Sequence, residues 1–247
     1  IGPEKLKTMA EDMGVQSPLQ AVSSLVLGTV DVSVLDMAAS YSTLANRGER
    51  VRPTVITEVT NADGKVVRRY KADRTRVLDE DDADVVNFIL RQAVERGTGT
   101  GAQFGGPGVL AGKTGTTQDY GDAWFVGYTS ELTTAVWMGY PEGNSKKMTS
   151  VRGKKVSGGS FPATIFKRFM SQATKGMDLE PFPTITKFPG KVLKGNRLPF
   201  SATSSTSSTA PLSSSTSSSA PASTTSGVPA TTTTKPAPTT TTTSGVD

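Results

Sequence analysis

Three segments with β-strand character, residues 109–116, 122–128 and 132–140, follow one another along the chain. A short turn at residues 129–131 joins the last two. The alternation of apolar and polar residues is imperfect, as expected for strands that are covered on both faces. Helical patterns precede and follow these segments. The fold class that this order predicts is α+β, with an antiparallel β-sheet flanked by helices.

Helices are predicted at residues 4–13, from Ser33 to Gly48, and at residues 79–96. Ser33 is a favourable first residue for the second helix. The expected core face of the third helix comprises Val85, Phe88, Ile89, Gln92 and Ala93. A last helix is expected after Ser160, whose side chain would cap it.

A β-hairpin is predicted before the third helix. Two β-rich segments, residues 51–59 and 65–70, flank Asp63-Gly64. An Asp-Gly pair between two such segments is a strong hairpin signal, because it suits the tight turns that join antiparallel strands.

Composition divides the chain into two parts. Residues 201–247 contain 14 Ser, 15 Thr and five Pro, with only Lys235 and Asp247 charged. Such a segment cannot bury enough apolar surface to offset the entropy of ordering, so we expect a disordered tail. Residues 1–200 are predicted to form one domain, which carries the whole net charge of +5.

Two missing residue types exclude several kinds of chemistry. The chain has no Cys and no His. Thiolate catalysis, Cys-based zinc sites and Ser-His-Asp triads are therefore excluded, and Lys, Asp, Glu or Tyr remain for proton transfer. We expect no cofactor and no metal ion.

The segment Lys113-Thr114-Gly115-Thr116-Thr117 has the chemistry of an anion-binding strand. Thr114 and Thr116 point to the same side of a strand, so both hydroxyls can bind one carboxylate. Lys113 makes such a site cationic, and Gly115 lets a ligand backbone lie against the strand as an added β-strand. The alternative interpretation is a strand end with ordinary threonines and a surface lysine.

This segment and its surroundings closely resemble class A penicillin-binding proteins. The similar stretches are residues 111–117 (AGKTGTT), 122–128 (DAWFVGY), 135–140 (AVWMGY), 24–28 (SLVLG), 35–39 (LDMAA), 96–100 (RGTGT) and 158–163 (GGSFPA). The resemblance implies that residues 1–200 are the C-terminal part of a transpeptidase domain, with part of the fold shared by penicillin-binding proteins and serine β-lactamases.

The resemblance also implies the roles of individual residues. Lys113 and Thr116 would be catalytic, the second through a backbone N–H that helps to stabilise the oxyanion. Lys113, Thr114 and Thr116 would bind the carboxylate of a peptidoglycan stem peptide or of a β-lactam. Gly115, Thr117 and Gln118 are further candidates for lining the site.

That family also uses an upstream Ser-x-x-Lys and a Ser-x-Asn motif. In this chain no Lys has a Ser three residues before it, and no Asn has a Ser two residues before it. The chain begins at Ile1 without a Met or a visible signal peptide. We therefore expect one part of a serine-type D,D-transpeptidase that needs a preceding segment with both motifs, and that is inactive by itself.

Partners and location follow from the same resemblance. The expected partners are that preceding segment, the stem peptide and β-lactams, with no nucleic acid and no membrane span in this chain. The expected location is the cell envelope outside the cytoplasm, with the parent protein anchored in the cytoplasmic membrane.

Two alternatives to this function remain open. One is a non-catalytic cell-wall-binding module, suggested by the basic residues between Lys146 and Lys155. The other is a separate serine β-lactamase or carboxypeptidase, which would need the same missing motifs.

Overall fold

The computed structural model describes residues 1–185 and residue 188, apart from the side chain of Asn144. The predicted disordered tail at residues 201–247 lies outside the described residues. The described elements belong to one compact unit, Ile1–Lys194. In chain order they are α1 (Pro3–Asp12), α2 (Val34–Ala45), β1 (Glu49–Val51), β2 (Glu58–Thr60), β3 (Val66–Arg69), β4 (Arg74–Arg76), α3 (Glu80–Glu95), β5 (Ala111–Thr116), β6 (Ala123–Tyr128), β7 (Thr133–Met138) and α4 (Phe161–Ala173).

The predicted antiparallel sheet is confirmed. Its strand order is β5-β6-β7, with unbroken antiparallel register between both pairs. Phe125, on one face of β6, packs with Phe166 and Met170 of α4. Tyr128, on the opposite face, packs with Leu44 of α2. Apolar residues thus cover the sheet on both faces, which explains the imperfect alternation in the strands.

The start of α2 and the hairpin follow the predictions. The Ser33 side chain accepts a hydrogen bond from the Asp36 N–H at 3.0 Å, so the predicted cap is present. Strands β2 and β3 pair antiparallel around the Asp63-Gly64 turn. The predicted strand at residues 51–59 is nevertheless divided, since β1 pairs with β4 and only the end of the segment pairs with β3.

The predicted core face of α3 is partly wrong. Ile89 is 55% exposed, and the buried side chains of the helix include Asn87 and Val94. Asn87 is fully buried because its amide donates to the Leu44 carbonyl at 3.1 Å and accepts from the Tyr128 hydroxyl at 2.6 Å. Burial raises the pKa of Tyr128 well above its usual value. The two hydrogen bonds of Asn87 connect α3 to α2 and to β6.

The beginning of α4 differs from the prediction in one respect. Ser160 stands at the first position, but its side chain makes no hydrogen bond that caps the helix. Its hydroxyl donates instead to the Ser157 carbonyl at 2.7 Å and accepts from the Ser157 N–H at 2.9 Å. Ser160 therefore closes the turn before α4.

No helix in the described part of the chain combines the length and the apolar character that crossing a membrane requires.

Candidate active site

A cleft of about 350 Å³ opens beside the end of β5. Its lining residues come from three parts of the chain: Thr98, Thr114, Thr116, Ser157, Gly159 and Ser160. Thr114 and Thr116 share the cleft because alternate residues of a strand lie on the same face. A second cavity, of about 300 Å³, is lined by Glu11, Arg50 and Asp73 among others and contains none of the predicted site residues.

The register of β5 on β6 decides where the β5 backbone points. The Thr117 N–H donates to the Asp122 carbonyl at 3.0 Å, and Thr116 faces Ala123 one step along the same register. Hydrogen-bonded and non-hydrogen-bonded pairs alternate along an antiparallel ladder. The N–H and C=O of Thr116, and by the same alternation those of Thr114, therefore point away from β6. In the residues that the structure describes, no strand is paired with β5 on that side.

The hydroxyl group of each β5 threonine in the cleft has a hydrogen-bond partner in a neighbouring loop. Thr114 Oγ1 lies 2.6 Å from Thr98 Oγ1, and either atom can be the donor. Thr116 Oγ1 accepts the Gly158 N–H at 3.0 Å. The loop that carries Thr98 thus holds the Thr114 hydroxyl, and the loop that carries Gly158 holds the Thr116 hydroxyl.

These two loops approach each other and β5 through their glycines. A Cβ at Gly101 would lie 2.8 Å from the Gly159 carbonyl oxygen. A Cβ at Gly158 would lie 2.6 Å from the carbonyl oxygen of Gly115 and would overlap that of Trp124. Only glycine permits this contact with the sheet backbone, so the loop before α4 is seated directly on β5 and β6.

Four predicted site residues are not among the residues that line the cleft: Lys113, Gly115, Thr117 and Gln118. The exposed Lys113 ammonium donates to the Thr114 carbonyl at 2.7 Å. A Cβ at Gly115 would meet the Trp124 side chain at 3.2 Å, on the other face of the strand from the two threonines. Gln118 lies in the turn that follows β5.

That turn has an unusual backbone. Asp119 and Tyr120 have φ values of 57° and 62°, in the left-handed region that residues with a Cβ rarely adopt. Hydrogen bonds at both ends hold the turn: the Tyr120 N–H donates to the Thr117 carbonyl at 3.2 Å, the Tyr120 carbonyl accepts the Met148 N–H at 2.8 Å, and the Asp122 N–H donates to the Thr117 hydroxyl at 2.6 Å. Such strain persists where the surrounding structure enforces it, and it is frequent beside functional sites.

The sequence analysis did not assign four of the cleft residues to the site: Thr98, Ser157, Gly159 and Ser160. Thr98 and Ser160 lie in two of the stretches that resemble class A penicillin-binding proteins, residues 96–100 and 158–163. Nothing in the spacing showed that both segments meet β5, since Thr98 and Ser160 lie on opposite sides of it in the chain.

In the described residues, three or more acidic side chains never come together where they could hold a metal ion. The lining of the cleft contains no carboxylate, and its side-chain polar atoms are hydroxyl oxygens. Hydroxyl groups and outward-pointing N–H groups suit an anionic ligand better than a cation.

Comparisons with known proteins show which family the chain is similar to. The family described as the penicillin binding protein transpeptidase domain matches residues 4–171. Penicillin-binding protein 1A of Mycolicibacterium smegmatis is 34% identical over 210 residues, which are 76% of this chain and 26% of that protein. Penicillin-binding protein 1F of Bacillus subtilis is 33% identical over 181 residues, which are 70% of this chain and 24% of that protein.

The fold is similar to solved structures as well. The penicillin-binding protein PonA1 from Mycobacterium tuberculosis aligns with a TM-score of 0.66 and 29% identity, covering 77% of this chain and 56% of that one. PonA1 in complex with penicillin V aligns with a TM-score of 0.65 and 30% identity, covering 76% and 54%. The chain spans about a quarter of the length of the curated relatives that it matches. It belongs to the penicillin-binding protein transpeptidase domain family, and its relatives are class A penicillin-binding proteins.

Proposed function

We propose that this chain supplies the carboxylate-binding part of a serine-type D,D-transpeptidase active site. The observation that carries the proposal is the pair of β5 threonines whose hydroxyls share one cleft. Two hydroxyls on one face of a strand can both donate to a single carboxylate. The ligand class is the terminal carboxylate of a peptidoglycan stem peptide, or the equivalent carboxylate of a β-lactam.

The backbone of β5 supports the second half of the proposal. The Thr116 N–H points away from β6 and would donate to the oxyanion that forms when the peptide or lactam carbonyl is attacked. The Thr116 carbonyl would accept a bond from the ligand amide, so that the ligand extends the sheet as an added strand. Lys113 places a positive charge on the same strand, whereas Gly115, Thr117 and Gln118 are neighbours of the two threonines in the chain that do not line the cleft.

The nucleophile must come from another segment, because this chain contains neither Ser-x-x-Lys nor Ser-x-Asn. We propose a preceding segment of the same polypeptide as the source of both motifs, with the assembled enzyme cross-linking peptidoglycan in the cell envelope outside the cytoplasm. By this proposal residues 1–200 are the C-terminal part of the transpeptidase domain, and residues 201–247 follow it as a tail.

Labelling with fluorescent penicillin tests the proposal. The polypeptide that carries this chain together with the preceding segment is expected to form a covalent adduct, and this chain alone is not. A covalent adduct on this chain alone would refute the need for an external nucleophile.

Isosteric variants test the role of the threonines. In the labelled polypeptide, Thr114→Val and Thr116→Val are each expected to slow acylation by about 10- to 100-fold, since a hydrogen bond to a charged group contributes about 1.5–3 kcal/mol. Thr100→Val is the matched control, because Thr100 lies near Thr98 but is not among the cleft residues. Equal rates for all three variants would contradict the assignment.

A second candidate function is cell-wall binding without catalysis, carried by five cations between Lys146 and Lys155. Lys146 lies 4.1 Å from the ring centroid of Tyr140, and Lys155 lies 5.5 Å from that of Tyr120. The ion pairs found among the described residues include none of the five cations. Their charge is therefore available to an anionic polymer.

Pulldown on purified cell wall separates the two functions. Binding that survives Lys113→Ala but disappears when the basic segment is neutralised would favour the wall-binding module. Penicillin labelling that is unaffected by neutralising this segment would favour the transpeptidase.

A further inference from the structure

We infer that Thr98 is a positioning residue that holds the Thr114 hydroxyl as a donor toward the ligand carboxylate. The inference rests on the proposed function of the cleft and extends it to a residue outside the Lys-Thr-Gly strand. It begins from the contact of 2.6 Å between Thr98 Oγ1 and Thr114 Oγ1.

A hydroxyl carries one proton and two lone pairs. If Thr114 donates its proton to a ligand carboxylate, its contact with Thr98 must be made by the Thr98 proton. The hydrogen bonds then run in one direction, from Thr98 to Thr114 to the carboxylate. Each bond in such a chain polarises the next, so the terminal donor is stronger than a hydroxyl without a donor behind it.

Thr116 has the same arrangement with a different donor. The Gly158 N–H can only donate, and it occupies a lone pair of Thr116 Oγ1 at 3.0 Å. The Thr116 proton therefore remains available to a ligand. Both threonines of β5 are in this way turned into donors by a group behind them: a backbone N–H for Thr116 and the Thr98 hydroxyl for Thr114.

Loop packing fixes Thr98 at this place. The Gly159 backbone lies so close to the Thr98 carbonyl oxygen that a Cβ at Gly159 would overlap that atom. A Cβ at Gly101 would likewise lie 2.8 Å from the Gly159 carbonyl oxygen. The loop that carries Thr98 is thus locked against the loop that carries Gly158, and the two supporting donors are held relative to each other.

The consequence is a preference for ligands with a charged acceptor at this position. A carboxylate accepts hydrogen bonds from both threonines. A methyl ester is uncharged, so its hydrogen bonds with the same two donors are weaker. Removal of the Thr98 hydroxyl should therefore lower acylation by a β-lactam acid and leave acylation by its methyl ester nearly unchanged.

The test compares acylation rates of penicillin and penicillin methyl ester, in the polypeptide that carries this chain with its nucleophile segment. For Thr98→Val we expect the acid to react about 3- to 10-fold more slowly, the worth of one ordinary hydrogen bond, with the ester rate unchanged. Thr98→Ser keeps the hydroxyl and should retain the wild-type ratio of acid to ester. Thr100→Val controls for the loss of a threonine hydroxyl in the same loop, and Thr98→Ala replaces the valine variant if valine prevents folding.

Acid and ester rates that fall together in Thr98→Val would overturn the inference, because they would show a structural role only. A Thr98→Val protein whose acid and ester acylation rates both equal those of the wild type would also overturn the inference. A wild-type protein that does not distinguish acid from ester would instead refute the proposed carboxylate site itself, so the two failures are distinguishable.

Discussion

Addition of one methyl group at Gly158 tests whether the loop before α4 shapes the cleft. The new Cβ would lie 2.6 Å from the carbonyl oxygen and 2.9 Å from the nitrogen of Gly115, and closer still to the carbonyl oxygen of Trp124. These atoms belong to the paired backbones of β5 and β6. They cannot yield without loss of sheet hydrogen bonds, so the loop itself must move away from the strands.

The size of the effect follows from two contributions. Overpacking of a well-packed contact costs about 1–3 kcal/mol. The displaced loop also loses the Gly158 N–H bond to Thr116, which is worth about 0.5–1.5 kcal/mol. We expect Gly158→Ala to lower the free energy of unfolding by about 2–4 kcal/mol. Acylation by penicillin should fall by about 10- to 100-fold, because a displacement near 1 Å in an active site can cost about 10²-fold.

Gly106→Ala is the matched control. A Cβ at Gly106 would meet no atom within 4 Å, and its φ lies outside the left-handed region. It makes the same chemical change and stiffens the unfolded chain in the same way. Urea unfolding and stopped-flow penicillin acylation of both variants provide the comparison. A Gly158→Ala protein that matches Gly106→Ala in both measurements would refute the steric reasoning.

Three further predictions concern the stability of the domain. Tyr128→Phe should lower the free energy of unfolding by about 1–3 kcal/mol, because it leaves the buried Asn87 side-chain carbonyl oxygen without the Tyr128 donor. In urea unfolding, a double variant that also replaces Asn87 with Leu should recover part of this loss. Burial raises the pKa of the Asp36 carboxyl, but hydrogen bonds to the carboxylate outweigh the effect of burial, and the pKa lies below the ordinary 3.8. The carboxylate therefore stabilises the fold fully above that pH, and this stabilisation is lost as the pH falls through the lower pKa of the folded state. Asp36→Asn should accordingly flatten the acid limb of a plot of melting temperature against pH. Arg47→Ala removes the two hydrogen bonds to Asp84, whose side chain is only 10% exposed. The variant should have a lower melting temperature and a free energy of unfolding that is lower by about 1–3 kcal/mol. An unchanged melting temperature would show that solvent replaces the ion pair.

Features with local causes were predictable from the sequence. The cap at Ser33 depends on a residue three positions away, and the hairpin depends on Asp63-Gly64. Turns between the three strands are short, so their pairing follows chain order. The position of Thr114 and Thr116 on one face depends only on the period of a strand.

Features that depend on distant residues were not predictable. The core face of α3 includes a polar residue, Asn87, which periodicity placed outside the core. Its burial is possible because Leu44 and Tyr128, from α2 and β6, provide a carbonyl and a hydroxyl at hydrogen-bond distance. A hydrophobic pattern cannot show such partners, since they come together only when three elements pack.

The amino-acid sequence by itself determined the strand with its two aligned threonines and the cation beside them, because local spacing and chemistry decide both. Only the tertiary structure decided what stands behind those threonines: the Thr98 hydroxyl from one loop and the Gly158 N–H from another. The physical reason is distance along the chain. Gly158 lies 42 residues from Thr116 and reaches it only because a glycine can lie directly on the backbone of the sheet.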